Sequence, residues 1–544
     1  MKRISFLVFS LLISFESIHA QGRDNFLLFT DSVVTSDGLK LATDIYITNK
    51  SEAFPSLIIR TPYNKVNAKN TALNFVKQGY VVIVQDCRGK FGSEGEFYAF
   101  KNEREDGLKT VEWIKQQPWF NGKIAGFGAS YEGYTQWAIS DCLDAVCAEM
   151  TGSDMYELIY PQGLFSLATA FNWGLTVDAR TENSISTESM QKSYWHLPLS
   201  VTAASTYQKE NIYLNDWLLH ENRDSYWQLL NNRGIAKGAL FSIAGWYDIF
   251  LLSQLNDFIA HEQKNNHPNN RMIITPWGHG VQSFSNEYGG YAKTGNTREL
   301  LEQFLAKKIL EDEKVSLKAP FSDHKFNFFI MERNEYVGSD TWPHKDVKET
   351  LFFLGENEIM REVPKKAAQM KFVYNPLDPY PSLGGTFLGN KIGPAVQNQN
   401  ITRNDQWVFE SEVLSSPLTL LGSISAKLYV SSSVKSTDFI MMVQDVFPND
   451  TIINIQEGGK RVDLKPNKVT EVNIDSWPTG YQLNPGHKLR VVITSSYFPR
   501  FNRNLNCDEP IYMSRKIKKA VQTIYTGPKK PSSITLPVLN IVHD

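Results

Sequence analysis

Two hydrophobic rhythms alternate through the first part of the chain and predict a sheet covered by helices. From Leu27 to Ile47, Phe-Leu-Leu-Phe-Thr-Asp-Ser-Val-Val and Leu-Ala-Thr-Asp-Ile-Tyr-Ile show the alternation of antiparallel strands. Pro55 to Arg60 and Tyr80 to Asp86 are short continuous apolar runs, the pattern of strands buried on both faces of a parallel sheet. Lys123 to Phe127 reads as another short buried strand. Apolar residues three and four apart predict helices over Asn70 to Gln78, Glu103 to Gln117 and Tyr131 to Ser140. Strand, helix and strand in succession imply right-handed crossovers and an α/β sheet.

That rhythm breaks between about Asp154 and Arg233. Stretches rich in Trp, Tyr, Leu and Asn, with few β-branched runs, predict an inserted helical cap there. The sheet pattern resumes at Ala239 to Ala244 and at Arg271 to Thr275, with helical spacing from Ile249 to Gln263 between them. Beyond about Thr350, short alternating segments are separated by turn signals: Asn375-Pro376, Gly384-Gly385, Pro448-Asn449-Asp450, Gly458-Gly459 and Pro485-Gly486. Many short strands at such spacing predict a β-sandwich or jelly roll. The expected order is an α/β domain over 21–150 and 238–348, a cap over 151–237 and a β domain over 349–544.

The charge balance excludes some partners. Lys and Arg number 56 against 58 Asp and Glu, a net charge of −2, so no basic excess points to nucleic acid. Lys2 and Arg3, the apolar run Phe6 to Phe15 and Ser17-Ile18-His19-Ala20 predict a secretory signal peptide over 1–20, cleaved after Ala20. The run is too short to span a bilayer, and no other segment reaches the roughly eighteen apolar residues a membrane helix needs. The expected product is a soluble exported protein, periplasmic or secreted. Cys87, Cys142, Cys147 and Cys507 are too sparse for a disulfide framework. Two buried thiols at Cys142 and Cys147 are expected, with a pair between them as the alternative. Metal-ligand spacings are absent, so neither a metal nor a cofactor is expected.

The chemistry centres on Gly126 to Tyr134, Gly-Phe-Gly-Ala-Ser-Tyr-Glu-Gly-Tyr, which sets Ser130 at a strand-to-helix turn. This is the pattern of a nucleophile elbow, with its second glycine displaced to Gly133 and Glu132 in the usual glycine position. A buried glycine-rich turn is the bland alternative. A serine hydroxyl needs a base, and the base needs an acid to fix its tautomer. Gly245-Trp-Tyr-Asp248 and Pro276-Trp-Gly-His279 follow successive strands, where residues face the carboxyl edge of the sheet. Capping a helix is the bland role for Asp248 and a surface loop the bland place for His279. The order Ser130, Asp248, His279 is that of α/β-hydrolases. An oxyanion hole would use the backbone N–H of Tyr131 and, from the loop Arg60-Thr-Pro-Tyr63-Asn-Lys, the Tyr63 hydroxyl.

With these residues in place, the chain resembles the cocaine esterase and X-prolyl dipeptidyl peptidase group of serine hydrolases over nearly its whole mature length. The likeness rests on Arg60 to Lys65, Gln85 to Gly95, Gly128 to Gly133, Gly245 to Asp248, Pro276 to His279, Tyr374 to Gly385, Ser436 to Phe439 and Pro485 to Arg490. It implies an α/β-hydrolase domain with an inserted helical cap and a C-terminal jelly roll. It also implies a triad of Ser130, Asp248 and His279, with Tyr63 and Tyr131 as the oxyanion hole. In this group, α-amino-acid ester hydrolases carry acidic residues two and three positions after the triad aspartate. Here Phe250 and Leu251 stand there, which points to an apolar acyl pocket, with Trp246 and Trp277 flanking the triad as further lining. The expected substrate is a small ester or amide. An ester hydrolase is expected first and an Xaa-Pro dipeptidyl peptidase second. A catalytically inactive glycan-binding protein is the third reading.

Overall fold

The computed structural model describes residues 26–48, 52–181, 184–280, 297–305, 310, 311, 313–389, 392–510 and 512–540. The expected leader, residues 1–20, lies outside them.

The catalytic sheet is built from β1 (Phe26–Val34), β2 (Lys40–Thr48), β3 (Phe54–Thr61), β4 (Val81–Asp86), β5 (Phe120–Ala129), β6 (Ala145–Glu149), β7 (Ala239–Tyr247), β8 (Arg271–Gly278), β9 (Phe326–Ile330) and β10 (Glu335–Ser339). Their order is β1-β2-β4-β3-β5-β6-β7-β8-β9-β10. Pairs from β4 through β9 are parallel, while β1, β2 and β10 add antiparallel edges. Every residue of β3, β4, β7 and β8 is buried, which is why these segments lack a polar alternation.

Helices α1 (Lys69–Lys77), α2 (Glu103–Lys115) and α3 (Tyr131–Trp137) make the first crossovers. Between β6 and β7 the chain leaves the sheet for α4 (Met155–Ile159), α5 (Leu167–Val177), α6 (Thr187–Trp195), α7 (Thr202–Tyr207), α8 (Ile212–Leu219) and α9 (Ser225–Gln228). These short helices share an aromatic core with the edge of the sheet, in which Phe171, Tyr213, Trp217 and Trp227 pack with Phe100, Tyr131 and Phe250. The Trp-rich and Tyr-rich composition thus fills the seam between cap and sheet. Helices α10 (Leu251–Asn265) and α11 (Thr297–Leu305) complete the domain.

The rest is β structure: β11 (Val347–Leu354), β12 (Ile359–Met360), β13 (Ala368–Tyr374), β14 (Gln406–Glu410), β15 (Leu418–Ser432), β16 (Ser436–Val446), β17 (Ile452–Asp463), β18 (Thr470–Leu483), β19 (Lys488–Thr494), β20 (Ala520–Thr526) and β21 (Ser533–Leu539). One antiparallel sheet has the order β12-β11-β21-β15-β20-β13, with β18 also on β15; the second has the order β14-β19-β16-β17. Several strands are longer than the expected short segments, with 15 residues in β15 and 14 in β18. Gly458-Gly459 proves to be strand interior rather than a turn. A Cβ on Gly458 would stand 2.0 Å from the carbonyl oxygen of Asp475, so these glycines mark a close approach between strands.

The β domain docks on the strands that carry the site. Gln456 donates to the carbonyl of Trp246 at 3.0 Å, and the Tyr247 hydroxyl donates to the carbonyl of Asn454 at 3.2 Å. One hydrophobic core runs from Ile58 and Phe329 in the first sheet to Leu420 and Val491 in the β domain.

Candidate active site

Ser130 occupies the sharp turn between β5 and α3, with φ 54° and ψ −127°. A non-glycine residue persists there only when its surroundings hold it. Its N–H donates to Glu149 O at 3.0 Å, and its carbonyl accepts from Gly133 N and from the Thr151 hydroxyl at 2.6 Å. The two glycines are steric requirements. A Cβ on Gly128 would sit 2.3 Å from the carbonyl carbon of Glu132, and one on Gly133 would sit 2.4 Å from Cγ2 of Thr151. The helix therefore touches its neighbours at position 133, and position 132 has room for a side chain.

Asp248 and His279 arrive from the ends of β7 and β8. The Asp248 side chain is fully buried, its Oδ1 accepts from Phe250 N at 2.8 Å, and its Oδ2 lies 2.7 Å from Nδ1 of His279. The opposite ring nitrogen, Nε2, lies 3.0 Å from Oγ of Ser130. A carboxylate accepts and cannot donate, so Nδ1 carries the proton and Nε2 presents its lone pair to the serine. The three residues form one hydrogen-bonded line in which the imidazole can take the serine proton. Asp248 does not cap the helix, whose N-cap is Phe250; its contact with Phe250 N in the preceding turn and its contact with His279 use different oxygens.

The Tyr63 hydroxyl accepts from Trp173 Nε1 at 2.9 Å, and Ser130 is the other side chain that bears on this phenol. Burial raises this phenol above its usual range, so the proton stays on oxygen. Tyr131 is the first residue of α3, and its N–H has no acceptor within the helix. Its side chain is locked: the hydroxyl donates to Oε1 of Glu103 at 2.7 Å and accepts from Phe100 N at 2.8 Å. The other oxygen of Glu103 pairs with Arg60 at 2.9 Å, with both side chains almost completely buried. Arg60 lies three residues before Tyr63, so one buried ion pair braces both expected oxyanion donors.

Glu132 follows Tyr131 in the first turn of α3. Burial pushes its carboxyl up to about 7, opposed by a hydrogen bond from the Thr61 side chain. The Thr61 hydroxyl oxygen in turn accepts from Tyr63 N at 3.0 Å.

Ser130 and His279 open into an apolar cavity lined by Phe100, Tyr131, Leu158, Ile159, Trp173, Trp217, Ile249, Phe250 and Leu388. Thr169 adds a hydroxyl, Ala170 completes the wall, and among the described residues no Asp, Glu, Lys or Arg is in the lining. Phe250 is in the wall, with its ring centre 5.6 Å from that of His279.

The two tryptophans expected beside it are elsewhere. Trp246 is fully buried on the opposite side, donating Nε1–H to Phe329 O at 2.6 Å and stacking near Phe328. The cause is that β7 continues through Tyr247 instead of stopping at Ala244, so strand alternation turns Trp246 into the interior. Trp277 is likewise a residue of β8, buried and outside the cavity wall. Sequence reasoning missed Trp173, Trp217 and Leu388, which come from the cap and the β domain. The aromatic excess of the cap was the available signal, but short helices without a clear period gave no position to any one ring. Glu103 also escaped notice, since one acid in the first turn of a helix reads as an ordinary favourable charge.

Among the described residues no group of three or more His, Cys, Asp or Glu is placed to hold a metal. All four cysteines are free thiols: Cys87, Cys147 and Cys507 are buried and Cys142 is partly so. The expected pair of buried thiols is therefore corrected at Cys142, which follows α3 in a short turn at the domain surface. No described helix is long and apolar enough to cross a membrane.

Comparison with known proteins places this architecture. Residues 37–281 match the model of the X-Pro dipeptidyl-peptidase (S15) family, and residues 320–535 match that of the X-Pro dipeptidyl-peptidase C-terminal non-catalytic domain. Cocaine esterase from a Rhodococcus species is 30% identical over 92% of this chain and 97% of its own length. Two solved structures share the fold: an aminopeptidase from a Thaumarchaeota archaeon, with TM-score 0.81, 21% identity and 98% and 100% coverage of the two chains, and an α-amino acid ester hydrolase, with TM-score 0.80, 20% identity and 97% and 99% coverage. The chain is an α/β-hydrolase with a C-terminal β domain, and it belongs to the S15 family of serine hydrolases, which act on esters or peptides.

Proposed function

We propose that the protein is a carboxylic ester hydrolase in which Ser130 forms an acyl-enzyme, with His279 as general base and Asp248 as its partner. The observation that carries this reading is the line Asp248–His279–Ser130, at 2.7 and 3.0 Å, on the wall of an apolar cavity. His279 takes the proton of Ser130 as Oγ attacks the ester carbonyl, then returns it to the leaving alcohol. The Tyr63 hydroxyl and the Tyr131 N–H hold the oxyanion, where each such donor is typically worth about a hundredfold or more in rate. Water then attacks the acyl-enzyme with His279 again as base. The acyl group lies against Trp173, Trp217 and Phe250, so an apolar acyl group is favoured.

Phe250 and Leu251, both buried and apolar, occupy the positions that bear acids in amino-ester hydrolases. This supports an ester without an α-amino group over an Xaa-Pro peptide, whose free amine needs a charged partner. The pattern of residues 1–20 supports export, and the two antiparallel C-terminal sheets support a jelly roll.

A panel of aryl esters, β-lactams and Xaa-Pro amides, run beside Ser130→Ala, tests the reading. Ester cleavage that disappears in Ser130→Ala is expected. Cleavage confined to the proline amides would replace esterase by Xaa-Pro dipeptidyl peptidase, and equal turnover by the variant would remove the serine mechanism.

A further inference from the structure

Trp173 lies on α5, in the cap, yet its indole reaches the hydroxyl of Tyr63 at 2.9 Å. An indole N–H donates and cannot accept, so this contact occupies a lone pair of the phenol oxygen and leaves the phenol proton to point elsewhere. Ser130 is the other side chain that bears on that phenol. At the far end of the site, Asp248 can only accept. Its contact at 2.7 Å sets the proton on Nδ1 of His279 and leaves Nε2 to accept from Ser130 at 3.0 Å. Once the serine O–H is committed to His279, the serine oxygen has only lone pairs to offer the phenol. A donor at one end and an acceptor at the other thus give every intervening hydroxyl a single direction.

The indole is held where this requires. It stacks on Tyr131 with ring centres 5.5 Å apart and planes 15° apart, and on Phe100 at 5.3 Å and 17°. Trp217 backs it at 6.3 Å and 22°. The same stack includes the tyrosine whose N–H is the other oxyanion donor.

From this geometry we infer that Trp173 is a positioning residue for the oxyanion hole: its indole N–H orients the Tyr63 hydroxyl so that the phenol proton faces the reacting centre. Without that donor the phenol proton can turn toward the cap. The phenol oxygen can then accept from Ser130, drawing the serine proton away from His279. Orientation is fixed before substrate arrives, so no rotation is needed as the oxyanion develops. The inference rests on the proposed esterase reading and adds a function for a residue that also serves as cavity wall.

The test is a double-mutant cycle on a saturating aryl ester, with Trp173→Phe, Tyr63→Phe and the combined variant. Phenylalanine keeps the stack and deletes the N–H. Trp173→Phe is expected to lower kcat about tenfold with KM within about twofold, and Tyr63→Phe to lower kcat about a hundredfold. In the Tyr63→Phe background, Trp173→Phe should cost nothing further, because there is no hydroxyl left to orient. An equal loss in both backgrounds would overturn the proposal and assign Trp173 to packing alone. Benzothienylalanine at position 173, which replaces the N–H by sulfur in a ring of the same shape, must reproduce the kcat loss; unchanged kcat would also overturn it. Ser130→Ala separates the levels: full activity there would remove the esterase reading and the proposal with it. Activity lost in Ser130→Ala and Tyr63→Phe, with an additive Trp173 effect, would remove the proposal alone.

Discussion

The backbone N–H of Phe250 donates to one oxygen of Asp248 at 2.8 Å, and that leaves only the second oxygen, at 2.7 Å, to face His279. Asp248→Asn tests what this division of labour does. The asparagine carbonyl must stay on Phe250 N–H, so its amide NH2 turns to His279 Nδ1. That forces the ring proton onto Nε2, where it cannot accept from Ser130. The expected result is a fall in kcat of about a thousandfold or more at neutral pH, with the unfolding midpoint close to that of the parent. Steady-state kinetics and thermal melts check the two halves separately.

Trp246 sits two residues before Asp248 but serves the junction with the β domain. Trp246→Phe removes the donor to Phe329 O and leaves a buried carbonyl without that partner. A loss of about 1–3 kcal/mol in stability is expected, with KM for an aryl ester unchanged. Phe250→Ala should raise KM through lost cavity wall, and should also lose stability because the ring is buried in the aromatic core. Denaturant unfolding and KM measured on both variants distinguish the junction from the pocket.

Glu132 gives a pH dependence of defined sign. Burial raises its carboxyl in the folded state to about 7, from an ordinary value of 4.5. Between those values the folded protein holds a proton that the unfolded chain has released, so stability falls as pH rises through this window. Below about 4.5 both states are protonated and the contribution is complete. Glu132→Gln abolishes the titration and should therefore melt higher than the parent at about pH 8, by an amount on the order of 1 kcal/mol, with the gap closing toward about pH 4. A gap of the opposite sign would show that Glu132 is ionised and stabilised in the folded state, and one independent of pH would show that folding leaves its carboxyl unshifted.

Much of this molecule is legible in its sequence, for physical reasons that also explain what is not. Buried strands such as Tyr80 to Asp86 are continuous apolar runs, and residues just past the ends of such strands face one edge of the sheet. That is why position along the chain suffices to group Ser130, Asp248 and His279, and in the folded protein the three are joined by hydrogen bonds. Strand ends are harder. The extension of β7 by three residues, from Ala244 to Tyr247, reverses the direction inferred for Trp246. The glycine pair at 458 and 459 misleads similarly, because a turn and a close strand contact both need a missing Cβ. The cavity wall is least legible. Trp173, Trp217 and Leu388 come together only through tertiary packing, and no local spacing encodes a contact between α5, α8 and a loop of the β domain. The displaced Gly133 is visible as a departure from the usual elbow, but its cause, the approach to Thr151, is a contact between segments distant in the local pattern.

The central claim is that Ser130 carries the acyl group during turnover. The direct measurement is acid quenching during turnover of an aryl ester, followed by intact-mass analysis and peptide mapping. A mass increase equal to the acyl group is expected, confined to the peptide containing Ser130, together with an initial burst of phenol that approaches one equivalent of enzyme when deacylation is the slower step. Ser130→Ala should show neither. Turnover with the acyl group on a different residue, or undiminished turnover in Ser130→Ala, would contradict it.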